Sequence, residues 1–591
     1  MSRRTSRQAR AARARKRDLA RSVGREPTST VVRHRAVVAG FVIALVGLTG
    51  RAGYLMVTER DFLKLQGDAR SVREVPIPVH RGMIFDRNGE PLAVSAPMAK
   101  VWVDPSRTTL TDFDLRRLGV ALELDVTRLA ARMAAGSPQY ANLARRVPPN
   151  LVSRVESLDI EGVRIGREYH RFYPAGETVA HVVGRTNVDD VGQEGVELMF
   201  NDFLAGVPGV KRILQDRKRQ LIKSLGYVRM PEFGEDLHLS LDLRLQFLAY
   251  RELKAAVERH GASSGSLVML DAASGEILAL ANLPSFNPND WPNRGVSGVR
   301  NRAVADVYEP GSTVKPFAVL AALQSGDYQP ETEVDTAPGY FRVGRKLIED
   351  PLNRGRIDVA TVVAKSSQVG IAKIALSLPE YAVFDALQQA GFGDLTGSGL
   401  PGEAIGELRT DDLDKPIGRA TLAYGYGLTV SPLQLARAYL ALAAGGVRRD
   451  LTILRGAAVR EDVVFQEPAV TVLTSMMRGV LEPGGTAPRG RPTGYTAAGK
   501  TGTARKVGTS GYDDRSHVAF FAGFAPASTP RIVLVVVVNE PRGGLIGGGV
   551  VAAPIFARVA ERALRVLGVP PDDATASPAD LAAIERRGGR A

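Results

Sequence analysis

Apolar and polar positions along this 591-residue chain change period several times, and each change marks an element. Ala36–Gly50 is uncharged and mostly apolar, and after Arg51 the apolar run resumes through Val57, giving 22 residues. A bilayer span takes about 20. Glu59 to Val75 has helical spacing and then turns extended at Val75-Pro76-Ile77-Pro78-Val79. Asn88-Gly89 between apolar runs predicts a hairpin, and Leu110–Ala135 reads as helix. Leu237–Asp242 alternates as a strand and is followed by a helix to His260. Ser266–Leu270 and Glu276–Ala281, joined by Asp271-Ala272-Ala273-Ser274-Gly275, predict a hairpin that opens a new domain. Helical patterns then run over Pro316–Leu323 and Lys365–Leu376. Strands follow at His517–Phe524 and Arg531–Asn539, and a final helix at Pro554–Leu567. Strands at both ends of a segment with a helical middle argue a mixed α/β (α+β) core built on an antiparallel sheet.

Charge sharpens this division. The net charge is +14, but residues 1–35 hold 12 Lys/Arg against 2 Asp/Glu, while the rest holds 65 against 61. An arginine-rich tail can bind nucleic acid or hold the cytoplasmic side of a membrane anchor, and the apolar run that follows favours the anchor. A cleaved signal peptide competes, but small-residue spacing for cleavage is not clear after Gly50. Arg51 fits an anchor if its long side chain reaches the far interface. The absence of cysteine excludes thiol catalysis, and the seven histidines form no metal-ligand spacing, so no metal or cofactor is expected. Gly261-Ala262-Ser263-Ser264-Gly265 matches a nucleophile-elbow pattern. That motif needs a strand before it and a helix after; here the order is reversed, and the segment reads as a loop.

Three short stretches carry candidate chemistry. Ser312-Thr313-Val314-Lys315 follows the turn Glu309-Pro310-Gly311 and enters an apolar helix, so Lys315 lies one helical turn after Ser312 on the same side. A serine hydroxyl needs a neighbour to take its proton, and a lysine can do so when burial and nearby positive charge keep it neutral. The same spacing also fits an ordinary helix start. Lys500-Thr501-Gly502-Thr503 precedes a strand-like run. It offers a cation, two hydroxyls and a glycine that lets an extended peptide with a terminal carboxylate lie close; the plainer alternative is an edge strand guarded by lysine. Between them, Ser366-Ser367-Gln368 supplies a serine able to relay a proton and an amide able to bond a substrate. For Ser367, helix capping is the favoured reading. Glu194, Glu197 and Arg171 read as structural ion pairs rather than catalytic acids.

Ser-x-x-Lys, then Ser-x-Asn, then Lys-Thr-Gly, in that order, is the signature set of penicillin-binding proteins and serine β-lactamases. With Asn301-Arg302, Asp306, Glu309 to Pro316, Tyr424-Gly425-Tyr426-Gly427-Leu428, Ser431 to Ala436 and Lys500 to Ala504, the chain resembles class B penicillin-binding proteins from residue 30 to 566. Within these peptidoglycan D,D-transpeptidases it resembles the division-specific FtsI type of Gram-negative bacteria. The resemblance implies a cytoplasmic tail (1–35), a transmembrane signal anchor (36–58), an elongated pedestal or dimerisation domain (59–235), a penicillin-recognition transpeptidase domain (236–569) and a disordered tail (570–591). It implies a single-pass protein of the bacterial inner membrane with a periplasmic body. Ser312 would be the acyl-ester nucleophile, with Lys315, Ser366 and Lys500 catalytic and Gln368, Thr501, Gly502 and Thr503 binding substrate. Expected partners are peptidoglycan stem pentapeptides, β-lactams, the membrane, a multi-spanning glycan polymerase and other divisome proteins. The alternatives are an elongation-specific transpeptidase, a β-lactamase or carboxypeptidase, and a weakly active scaffold or β-lactam sensor. The last is favoured only by Gln368, which stands where the family has asparagine and adds a methylene.

Overall fold

The computed structural model describes residues 28–137, 139–216, 221–290, 298–508, 511–544 and 546–573. Most of the basic tail and residues 574–591 lie outside the described residues. The described chain clusters into two compact units, one within Met1–Ile77 and Pro208–Pro231, the other within Pro78–Val207 and Glu232–Ala591.

The first unit begins with the helix Thr28–Val57, which starts eight residues before the apolar run does. Thr30–Val57, 28 residues, is long and apolar enough to cross a membrane by length and composition. Phe41, Ile43 and Leu48 on it are exposed. The Arg51 guanidinium points toward the carboxyl-terminal end of the helix, 4.0 Å from Glu59 and 5.1 Å from the Tyr54 ring centre. That is the direction expected of a side chain seeking an interface. A helix over Arg60–Ser71 leads into the strand Val72–Ile77, which pairs with Gly209–Gln215, itself paired with Leu221–Arg229.

In the second unit the predicted hairpin forms between Ile84–Phe85 and Pro91–Val103. The buried Asp86 carboxylate accepts from Asn88 N (2.7 Å), Glu90 N (2.8 Å) and Leu243 N (3.0 Å), which closes the turn and ties it to the start of a later helix. The helix expected over 110–135 is two, Asp112–Leu122 and Val126–Ala135. Glu123 takes a left-handed conformation, and Asp125 caps the second helix through Thr127 N, so a local cap outcompetes continuation. Glu197, 0 % exposed, takes both Arg81 and Arg171 at 2.6 Å, and Glu194 pairs with Arg185. The ion-pair reading of these residues holds.

The largest sheet has five antiparallel strands in the order Ile277–Leu283, Ser264–Asp271, Ile532–Asn539, Gly511–Ala525, Ala498–Gly508. Every residue of the first three is buried, so helices must cover both faces. The run Ile532–Val538 is accordingly continuous in apolar residues rather than alternating. Helices Leu243–Arg259 and Ala553–Val566 pack on this sheet and on each other, joined by Glu252 to Arg558 (2.8 Å) and Arg562 (2.9 Å). Helix Pro432–Ala443 packs on the central strands. Of the segment read as a loop, Gly261–Ser263 lies between a helix and a strand in that order, whereas Ser264 and Gly265 already belong to the strand, and Ser263 is engaged with Asn539. Pro570–Asp573 is held: Asp572 accepts from Thr496 N (2.7 Å) and Ser528 Oγ (2.6 Å), and Asp573 pairs with Arg491 (2.6 Å).

Candidate active site

The segment Gly311–Val314 forms a 3₁₀ turn that runs into the helix Lys315–Ser325. Pro316 sits in the first helical turn, where its missing N–H costs nothing. From Lys315 to Ala322 every residue is buried. Tyr439, fully buried, donates to Thr313 O (2.7 Å), and Phe317 meets Tyr439 and Phe392 edge-on. The turn is gripped from a second side, where Gly311 N donates to Gly425 O (3.1 Å). A Cβ on Gly425 would stand 1.9 Å from Gly311 O, which explains the glycine of that block. Ser312, half-buried, thus stands on a rigid turn one residue from the core.

Lys315 is 1 % exposed, and its Nζ donates to Ser366 O (2.6 Å) and Ser366 Oγ (3.2 Å). The described bonds of this amine run to Ser366 rather than to Ser312. Burial brings its pKa down to about 7, against an opposing pull from the Asp350 carboxylate. Ser366 reaches Lys315 because the helix read from Lys365 begins only at Gln368 (Gln368–Ser377), while Lys365 ends a separate helix, Val359–Lys365. Between them Ser366 takes φ +60°, a left-handed conformation that costs a non-glycine residue about 1–3 kcal/mol. That kink turns both its carbonyl and its hydroxyl onto the lysine. Ser367 caps the second helix through Gly370 N (2.8 Å), as expected.

Asp350 is the residue that sequence patterns missed. Its carboxylate accepts from Ser367 Oγ, Gln368 N and Val369 N, satisfying the unpaired N–H groups of the helix start with a negative charge. It comes from a hairpin, Tyr340–Val343 with Lys346–Glu349, whose sequence gives no hint of this distant partner. Gln368 is half-buried and touches Asp350 through its backbone. Among the described residues its side-chain amide has no hydrogen-bond partner.

Lys500 lies on the strand Ala498–Gly508, the edge of the large sheet. It is 0 % exposed, and its pKa is held well below the usual lysine value, first by burial and then by the charge of Lys315. Its Nζ lies 3.3 Å from Thr501 O and 3.4 Å from Thr501 Oγ1. Two buried ammonium groups so placed disfavour each other, so the pair carries one charge more readily than two. Gly502 permits the strand to meet the Ser312 turn. A Cβ there would lie 2.8 Å from both Pro310 O and Thr313 Cγ2. Thr503 is exposed, and its Oγ1 accepts from Gly548 N (3.0 Å). The structure therefore brings Ser312, Lys315, Ser366, Lys500 and the Thr501–Thr503 strand to one place, and it adds Asp350, Tyr439 and Gly548 as supports. The arrangement suits a nucleophile with a neutral lysine beside it and a second, strand-borne cation facing an anion.

Known proteins carry the same organisation. Residues 265–561 match the penicillin binding protein transpeptidase domain, and residues 76–239 the penicillin-binding protein dimerisation domain. The chain is 39% identical over 545 residues to the probable peptidoglycan D,D-transpeptidase PbpC of Pseudomonas aeruginosa, covering 92% of this chain and 96% of that protein. It is 40% identical over 542 residues to the peptidoglycan D,D-transpeptidase FtsI of Escherichia coli K12, covering 90% and 92%. The fold matches the crystal structure of penicillin-binding protein 3 from Mycobacterium tuberculosis complexed with aztreonam, with a TM-score of 0.64 at 26% identity over 84% of this chain and 98% of that one. Matched along nearly its whole length and carrying both domains in their order, the chain belongs to the class B penicillin-binding proteins, a family of peptidoglycan D,D-transpeptidases.

Proposed function

We propose that this protein cross-links stem peptides of septal peptidoglycan through an acyl-enzyme on Ser312, the serine that β-lactams would also acylate. The observation that carries the reading is the buried Lys315 amine, one helical turn from Ser312, with its pKa brought to about 7. Ser312 Oγ attacks the carbonyl of the penultimate D-Ala, and its proton passes to neutral Lys315. The N–H groups of Ser312 and Thr503 receive the oxyanion. Collapse breaks the amide bond, and the departing D-Ala amine takes a proton by way of Ser366. An amine from a neighbouring stem peptide then attacks the ester and releases Ser312 with its proton restored. The terminal carboxylate lies against Lys500, Thr501 and Thr503. A carboxylate there favours charge on Lys500, and a charged Lys500 favours a neutral Lys315, so binding and activation support one another. The free edge of the 498–508 strand suits an extended peptide.

Mass spectrometry after labelling with penicillin tests the assignment. The adduct belongs on the peptide bearing Ser312; an adduct on another serine, with Ser366 the first to inspect, would overturn it.

The pH dependence is equally specific. Lys315 acts as a base only when neutral, so the acylation rate should climb through pH 7 and level off above it. The Asp350 charge raises the Lys315 pKa, so Asp350→Asn should move the midpoint to lower pH. Stopped-flow acylation by a fluorescent β-lactam across pH 5–9 would show this, and a midpoint that stays put or rises counts against Lys315 as the base.

The arginine-rich segment before the anchor helix supports a cytoplasmic amino terminus and a periplasmic body in the bacterial inner membrane. A multi-spanning glycan polymerase and other divisome proteins would then meet the anchor and pedestal.

A further inference from the structure

The two hydroxyls of the Lys-Thr-Gly-Thr strand are each held by a group outside it: Thr503 by Gly548 N–H, and Thr501 by Thr486. Thr501 Oγ1 donates to Thr486 Oγ1 at 3.0 Å, while Lys500 Nζ lies 3.4 Å from the same Thr501 oxygen. A hydroxyl has one proton. While Thr501 gives that proton to Thr486, its lone pairs face Lys500 and it has nothing to offer an anion. To donate to a carboxylate, Thr501 has to release Thr486 as its acceptor; reversing the bond, with Thr486 as donor, frees the Thr501 proton and at the same time fixes its direction. Thr486 is held in place for this. Gly485 N donates to Glu482 O (2.8 Å), and Ala487 N donates to Val480 O (2.9 Å). Lys365, the residue before Ser366, donates to Gly484 O. The Thr486 carbonyl abuts Gly549, where a Cβ would stand 2.1 Å away. The turn Glu482–Ala487 is therefore fastened both to the Ser366 segment and to the glycines that follow Gly547.

We propose that Thr486 is a positioning residue that sets the direction of the Thr501 hydroxyl, and through it the affinity of the site for the terminal carboxylate of its ligand. The inference rests on the carboxylate role of Thr501 given above.

In the full-length protein, Thr486→Val keeps the shape and removes the hydroxyl, and Thr486→Ser keeps the hydroxyl. Benzylpenicillin and its methyl ester are the probes, with the non-covalent binding constant and the acylation rate constant resolved separately. Thr486→Val should weaken binding of the acid about fivefold, the size of one lost hydrogen bond. It should leave the acylation constant and the ester unchanged, and Thr486→Ser should restore wild-type binding. Equal losses for acid and ester would mean that the turn has merely shifted, which overturns the inference. So would a Thr486→Val protein that binds the acid like wild type while wild type still discriminates acid from ester. A wild type that makes no such discrimination overturns the carboxylate role itself, a separate failure.

Discussion

Ser312→Ala should lose covalent penicillin labelling altogether, and cross-linking activity should fall on the order of 10⁶-fold, the scale of removing a nucleophile from a coupled catalytic group. The substitution deletes one hydroxyl from a half-buried position on a turn that other groups hold. Tyr439 anchors Thr313, Gly425 anchors Gly311, and Lys315 Nζ is bonded to Ser366 rather than to Ser312. Stability should therefore change by no more than about 0.5 kcal/mol, and thermal melts of the two proteins should coincide within a degree or two. Gel fluorography with a fluorescent penicillin and a cross-linking assay on lipid-linked substrate give the two readouts. Residual labelling in a protein that melts like wild type would place the nucleophile elsewhere.

Lys315→Arg should be as damaging as Lys315→Ala, each costing about 10²–10⁴-fold in acylation rate, the range for a general base. Arginine keeps the charge but does not release its proton inside a protein, so it cannot accept one from Ser312. The site is also closed to it sterically. Lys315 is 1 % exposed and its amine is already seated on Ser366 O at 2.6 Å, leaving no room for a planar guanidinium. Because a buried, oversized cation can unfold the helix start, Lys315→Met serves as the companion variant. It matches the length and carries no charge, so it should fold, bind penicillin and acylate slowly. A rapid Lys315→Arg enzyme would show that the lysine acts through charge alone, and a rapid Lys315→Met enzyme would remove it from the chemistry.

Local sequence made several features legible because local physics decides them. Asn88-Gly89 turns a hairpin wherever it sits, Pro316 starts a helix, and Ser367 caps one. The mostly apolar run through Val57, interrupted by Arg51, makes a membrane-length helix without help from the body. Continuous apolar strands mark a sheet covered on both faces. The order of the three short motifs identified the family, since each is a compact chemical unit whose spacing survives in sequence.

The candidate reactive residues could be named from the chain, but what would make them reactive could not. A lysine is an ordinary cation until burial strips its water, and the burial of Lys315 and Lys500 is assembled from helices and strands far apart along the chain. The proximity by which the Lys315 charge depresses the Lys500 amine is likewise a product of packing. Periodicity ran one helix through Lys365–Leu376, whereas the tertiary structure breaks it at Ser366. A left-handed residue there is repaid by contacts to Lys315 and by the carboxylate of Asp350 at the next helix start. Asp350, Thr486 and Gly548 left no trace in any local pattern, because each acts on a residue from which it is separated by 15 or more positions. Sequence alone determined the membrane-length helix, the local turns and caps and the chemical groups available. Only the tertiary structure decided which of those groups lose their water and which proton each hydroxyl can give, because desolvation and hydrogen-bond direction depend on neighbours in space.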